Sequence, residues 1–281
     1  MVTRRSFLGS LAGGAAAAAF SGRARAAGGR PPLGLQLYSL RNQLAKDVPG
    51  TLKQVKAWGF DEIESYGRYG GPIQAAIRDA GLRCRAMHFG YERLTNDMPG
   101  ALREADALGV KTVLNASLPH KTKPHASREE ILKAAGDFAK WSKDCRAAGK
   151  RFAYHIHGQE FGQAPEGTLF DVLAKESGPD VGFEADVFWV RVGGADPVKL
   201  MNQHPGRFWF THLKDMAKDT VPGAAGQEYN RANVVIGTGL IDIKGIVAAG
   251  VAAGVEVHYL EDESPDVLTQ VPKSVEFYKA L

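Results

Sequence analysis

The chain has only two cysteines among its 281 residues, Cys84 and Cys145. At most one disulfide is available, and the fold cannot depend on a framework of them. Cys84 falls on an expected strand and Cys145 inside an expected helix, which reads as two buried thiols. Long apolar runs are lacking too: no stretch reaches the length of a bilayer-spanning helix. Charge of one sign is not in excess. The formal net charge is +4, but Arg4, Arg5, Arg23 and Arg25 all precede residue 27, in a stretch with no acid. The 35 Lys and Arg less these four leave 31, against 31 Asp and Glu. A near-neutral body without a basic stripe excludes the electrostatic footprint of a nucleic-acid binder. Past the N-terminus there is no low-complexity tract and no domain linker. Hydrophobic and charged fractions of 44% and 23% are ordinary for a globular chain with a full core.

The N-terminal segment has its own character. Arg4-Arg5 precede a mild apolar stretch from Phe7 to Phe20, and Ala24-Arg25-Ala26 has the small-residue pattern of a cleavage site. This predicts a twin-arginine export signal over 1–26, a single domain over 31–281, a periplasmic address, and no membrane association after cleavage.

From residue 33 a rhythm sets in. Expected strands at 33–40, 61–65, 83–89, 110–117, 150–157, 181–189, 208–215 and 255–263 alternate with expected helices at 51–59, 72–81, 99–109, 127–149, 168–177, 196–204, 241–254 and 265–281. Ser127 and Glu130 form a capping box for the longest helix, and the last helix is expected to break near Pro272. A long polar loop fills 216–239. Eight strand–helix units in about 250 residues predict a (β/α)8 barrel. The doubly wound alternative usually carries a glycine-rich phosphate turn after its first strand, and LGLQLYSLRNQ has none.

Such a barrel keeps its chemistry at the C-terminal strand ends. The polar residues there are Gln36 and Tyr38, Glu64, His88, His155 with His157, Asp186, His212 with Lys214, and Glu261 with Glu263. Alternation puts Phe208, Phe210, His212 and Lys214 on one face. Glu184 shares a face with Asp186 and reads as a supporting or ion-paired group inside the barrel. Glu263 reads as solvated. Carboxylate, imidazole and carboxylate on three successive strands, Asp186, His212 and Glu261, read together as a metal site. Mixed oxygen and nitrogen donors suit Mn, Zn, Co or Fe better than Mg.

GLQLYSLR, YHIHGQEF, VGFEADVFWV, GADPVKL, THLKDM, GTGLIDIKGI and YLEDE, spread over nearly the whole mature length, resemble the sugar phosphate isomerase/epimerase family of xylose-isomerase-like TIM barrels. The resemblance implies one divalent metal at the barrel mouth, held by Asp186, His212 and Glu261. The fifth-strand ligand of the family, a glutamate, falls on His155 here. Either His155 completes the site or Glu160 reaches back to do so. The resemblance also implies a carbohydrate substrate contacted by Glu64, His88, Glu160, Trp189 and Tyr38, and catalytic roles for Glu261 as base, Lys214 as electrostatic helper and His157. With one clean mouth glutamate, a two-glutamate epimerase mechanism does not carry over directly.

Three functions follow as expectations, and a fourth is set aside. The first is a metal-dependent isomerase or epimerase of an unphosphorylated sugar. The second is a β-eliminating lyase or hydratase on 3-keto-glycosides. The third is a non-catalytic sugar-binding barrel. A DNA-repair endonuclease of the same barrel would need more histidine ligands and a basic face; position 189 is Trp, and strand four offers Asn115 and Ser117. A homo-oligomer is compatible with all of this.

Overall fold

A computed structural model describes residues 29–67, 73–119, 125–223 and 229–281. The expected export signal over 1–26 lies outside the described residues.

Eight strands, β1 (Leu33–Gln36), β2 (Glu62–Ser65), β3 (Arg83–His88), β4 (Thr112–Asn115), β5 (Arg151–Ile156), β6 (Val181–Asp186), β7 (Phe208–Leu213) and β8 (Val257–Leu260), pair in parallel and in sequence order. β1 pairs with β8 and closes the barrel. The helices that follow the strands are α1 (Val48–Ala57), α2 (Ile73–Asp79), α3 (Met98–Ala107), α4 (Arg128–Ala147), α5 (Leu169–Glu176), α6 (Pro197–Gln203), α7 (Ile243–Ala253) and α8 (Val267–Lys279). This is the predicted (β/α)8 architecture. The main core lies between strands and helices, and a smaller one inside the barrel is built from Ala86, Leu114, Ala153, Phe210, Val257 and Tyr259.

Local sequence starts the helices. In DVPG and DMPG, Asp47 and Asp97 cap α1 and α3, each carboxylate accepting from the N–H of the glycine three residues on at 2.9 Å. A Cβ on Gly50 or Gly100 would stand about 2 Å from that carboxylate, so the glycine is what lets the aspartate fold over the helix start. The Ser127–Glu130 capping box forms as predicted, with contacts of 2.7 and 3.2 Å. Cys84 and Cys145 are both buried and free.

Beyond shifts of a few residues at element ends, four features differ from the sequence pattern. The first strand stops at Gln36 and a 3-10 turn, Leu37–Leu40, follows. β6 stops at Asp186, and VFW, expected as the end of that strand, opens a short helix, Val187–Val192, because Asp186 caps it. α8 runs through Pro272 instead of breaking, with the proline half-buried and Leu268, one turn before it, exposed. The expected loop 216–239 holds an antiparallel pair, Asp215–Met216 with Asn233–Val234.

β7 also breaks its own alternation. Phe183 pairs with Phe208 but Glu184 pairs with Phe210, so Trp209 is an extra residue. Phe208 packs outward on Phe170 and Phe183, while Phe210 faces Tyr259 inside. Phe208 therefore does not share the inner face with Phe210 and His212. The bulge re-aims the strand end that carries His212 and Lys214.

Candidate functional site

The C-terminal strand ends converge on a cavity of about 280 Å3 lined by Gln36, Tyr38, Tyr66, His88, Ala116, His155, His157, Trp189, His212, Lys214, Glu261 and Glu263. That lies just below the usual small-molecule range of roughly 300–1,000 Å3. Its polar groups form two tiers.

In the lower tier, Glu184 Oε2 stands 2.9 Å from His155 Nδ1, 3.1 Å from His212 Nε2 and 3.2 Å from His88 Nε2. Glu64 Oε1 stands 2.6 Å from His88 Nε2 and 2.8 Å from His212 Nε2, and accepts from Gln36 Nε2. Burial pushes the Glu64 carboxyl up, and Glu184 adds to it. Burial would raise Glu184 too, but His212, His155 and His88 together hold it well below the ordinary carboxylate range. Burial pulls His88 down, yet Glu64 and Glu184 carry it up to about 9. His155 is driven well below the usual imidazole range by burial, then by His212 and His157.

In the upper tier, Lys214 Nζ stands 2.6 Å from Glu261 Oε2, 2.7 Å from Glu263 Oε1 and 3.1 Å from Asp186 Oδ2. His212 Nδ1 stands 3.0 Å from Glu261 Oε2. Asp186 Oδ1 accepts from the N–H groups of Phe188 and Trp189 at 3.0 and 3.1 Å. Burial lifts Asp186 to about 6, against the pull of Lys214 and His212. Burial also opposes ionisation of Glu261, but Lys214 and His212 overcome it and hold the carboxyl well below its ordinary value. Burial, then the Lys214 ammonium, lowers His157 to about 4, so its imidazole is neutral at neutral pH. Its ring lies 4.5 Å from that of His155 and 6.2 Å from Trp189.

Asp186, His212 and Glu261 each offer a ligand atom within 4.8 Å of the others. Asp186 Oδ2 is buried without a hydrogen bond, since Lys214 Nζ at 3.1 Å makes an ion pair lacking hydrogen-bond geometry. One imidazole nitrogen and two carboxylate oxygens, one of them unsatisfied, fit a divalent cation. His155 Nε2 lies 3.8 Å from Asp186 Oδ2, at the margin of this set.

Of the residues expected to contact substrate, Glu64 is fully buried beneath the cavity and does not line it, and Glu160 is not brought to the mouth. Gly158 adopts a left-handed φ of 86°, and a Cβ there would stand 2.4 Å from the Trp189 carbonyl oxygen. The chain turns behind β5, where the fully buried Glu160 takes the hydroxyl hydrogen bond of Tyr154, a ring packed on Phe138 of α4. Glu160 thus neither completes the metal set nor lines the cavity. Tyr38 stands at the rim, 39% exposed, with its ring edge-on to Tyr66. Glu263 is mostly buried and tied to Lys214 rather than solvated. Glu184 is more central than its supporting role on paper. Its spacing two before Asp186 on one strand was the available signal.

No family model matches the chain, and no curated protein matches it. Solved structures do. A sugar phosphate isomerase/epimerase from Parabacteroides distasonis ATCC 8503 is 25% identical, with a TM-score of 0.72 over 90% of this chain and 99% of that one. An L-ribulose 3-epimerase is 16% identical, with a TM-score of 0.65 over 89% and 94%. A xylose isomerase-like TIM barrel protein from Mycobacterium smegmatis in complex with magnesium is 14% identical, with a TM-score of 0.65 over 88% and 94%. With the closed parallel barrel and its ring of helices, these likenesses establish the fold as that of the xylose isomerase-like TIM barrels.

Proposed function

We propose that this protein is a divalent-metal-dependent enzyme that isomerises or epimerises an unphosphorylated sugar or sugar derivative through an enediolate. The observation that carries the reading is Glu261: an ionised carboxylate facing the cavity, beside His212 and Lys214. The names of two structural neighbours, a sugar phosphate isomerase/epimerase and an L-ribulose 3-epimerase, support it.

Asp186, His212 and Glu261, with His155 at the margin, would hold the cation. When bound, it would supply a Lewis acid that polarises a substrate carbonyl. Glu261 takes the proton from the carbon beside that carbonyl and, as the carboxylic acid so formed, returns a proton to carbon as the carbonyl re-forms. The Lys214 ammonium, 2.6 Å from Glu261, stabilises the negative oxygen that develops. The neutral His157 imidazole accepts a hydrogen bond from a substrate hydroxyl. Trp189 and Tyr38 flank the sugar.

Two features favour an unphosphorylated substrate. Among the described residues lining the cavity, Lys214 is the one Lys or Arg, and three carboxylates already claim it. The twin arginine and Ala24-Arg25-Ala26 belong to a periplasmic protein on this reading. A second reading, β-elimination from a 3-keto-glycoside, is favoured by one feature. The wall on β5 carries imidazoles, His155 and His157, where a second carboxylate base would serve an epimerase.

The test is incubation with keto sugars and 3-keto-glycosides in D2O. Deuterium entering next to the carbonyl, and lost in Glu261→Gln, is the expected result. Release of a leaving group with an unsaturated product selects the lyase. Unchanged turnover in Glu261→Gln removes Glu261 as the base. Binding of sugars with no exchange in the wild type leaves a sugar-binding barrel.

A further inference from the structure

The two tiers differ in how their charge is balanced. The upper carboxylates, Asp186, Glu261 and Glu263, share the Lys214 ammonium. Beneath them, Glu64 and Glu184 are both 0% exposed. Among the described residues neither pairs with a lysine or arginine; their partners are His88, His155, His212 and Gln36. Two buried carboxylates without a permanent cation are costly unless something else neutralises them. Two charges of one sign require a dication or two added protons.

The geometry favours a dication. Three imidazole nitrogens surround Glu184 Oε2 at 2.9, 3.1 and 3.2 Å. Around a tetrahedral zinc with bonds of about 2.0–2.1 Å, neighbouring ligand atoms stand about 3.3 Å apart. The three oxygen–nitrogen edges need to open by only a few tenths of an ångström, and all four donors lie within 4.8 Å of one another. Each of His88 Nε2 and His212 Nε2 faces two carboxylate oxygens, more than one N–H can serve well. Glu184 Oε1 and Glu64 Oε2 are buried without hydrogen-bond partners. The rings of Phe210 and Tyr259 lie beneath His212. His88, His155 and His212 all line the cavity above, which gives an ion its entry path.

We propose that His88, His155, Glu184 and His212 form a cation site of their own, beneath the Asp186–His212–Glu261 set, for one divalent transition metal of the zinc class. Glu64 supports it from β2. The site is distinct from the mouth set, because His88 and Glu184 belong to it alone. It shares His212, whose Nε2 faces downward and Nδ1 upward, and His155, whose Nδ1 meets Glu184 while its Nε2 stands 3.8 Å from Asp186.

The test uses the full chain, stripped with a chelator and reloaded with Zn2+ or Co2+ alone. Ions per chain are counted by mass spectrometry, and affinity is measured by competition with a chromophoric chelator. Thermal unfolding shows whether each variant is folded. Glu184→Gln, nearly isosteric, and His88→Ala are each expected to lose one ion relative to wild type or to hold it at least tenfold more weakly. Asp186→Asn is expected to keep the lower ion. With Co2+, strong visible absorption of a nitrogen-rich tetrahedral site should persist in Asp186→Asn and fade in Glu184→Gln. Wild-type ion count and affinity in both Glu184→Gln and His88→Ala overturn the proposal. If Asp186→Asn alone loses an ion, the mouth set stands and the lower site falls; the reverse pattern keeps the lower site and removes metal from the mouth. A wild type that holds no ion overturns both.

Discussion

Glu62 and Glu64 stand two residues apart on β2 and point into opposite ends of the same barrel. Both are buried, at 1% and 0% exposure. At the N-terminal floor, Glu62 meets Arg83 at 2.7 Å and Arg85 at 3.0 Å, and Arg151 grips Glu256 close by at 2.6 and 3.0 Å. Guanidinium stays charged at every working pH, so the floor has a fixed balance. At the mouth, Glu64 meets only imidazoles and an amide. Imidazoles can give up protons and take a metal in exchange. One strand thus carries a carboxylate locked by permanent cations and another whose partners can change. That division agrees with the general placement of stability and chemistry at opposite faces of such barrels.

Breaking the mouth should abolish turnover and spare the fold. Glu261→Gln is expected to lower the rate of deuterium exchange by about 10^3-fold, in the range for removal of a general base. The variant should stay folded, since the amide keeps the volume and Lys214 keeps Asp186 and Glu263 as partners. Lys214→Met comes next, with a loss of roughly 10–100-fold. It has a second signature in pH. Lys214 and His212 hold Glu261 low against burial, so without the ammonium its pKa rises. The base must be ionised to act; the acidic limb of the rate profile should therefore move to higher pH. A limb that stays in place would remove Lys214 from the control of Glu261.

Breaking the floor should do the reverse. Glu62→Gln leaves Arg83 and Arg85 with an amide, but both guanidinium groups are about half or more exposed and keep their water. The expected cost is therefore modest, about 2 kcal/mol of unfolding free energy, with exchange activity per folded molecule unchanged. A floor variant that loses activity while fully folded would erase the distinction between the two ends.

The pattern of eight units was legible because β-rich runs alternate with helices stopped by glycine, as at Gly109 with its φ of 69°. The mouth was legible because strand ends can be counted. Asp186, His212, Lys214 and Glu261 meet as their positions at the C-terminal ends of β6, β7 and β8 require. Three features were not. Glu160 follows two histidines at a site-like spacing, but Gly158 turns it behind the strand, and a single left-handed residue is silent in a periodicity. The bulge at Trp209 adds one residue to β7, so strict alternation misassigns Phe208. Glu184 was visible on the right face, but the depth that brings it under three imidazoles comes from barrel closure.

An imidazole with no carboxylate to face sharpens the comparison by subtraction. His258 on β8 points outward, toward α7 and α8, between Tyr259 and Val257, which point in. Its Nδ1 is paired with the Thr211 hydroxyl, and its Nε2 is buried without a partner. Burial, then Arg30, lowers it to about 3. The unfolded chain takes up a proton at this side chain near pH 6.5, and the folded one does not until about pH 3. The unfolded state therefore binds more protons across that window, and stability falls as pH drops through it. Between pH 7 and pH 5.5 the loss from this one group is about 1 kcal/mol. Thermal unfolding of wild type and His258→Leu at both pH values isolates it. The variant should lose less stability on acidification by about that amount, whatever its own starting stability. Equal losses would mean that His258 gains a proton in the folded protein as readily as in the unfolded chain, so that an imidazole facing no carboxylate is not held neutral on this side of the barrel.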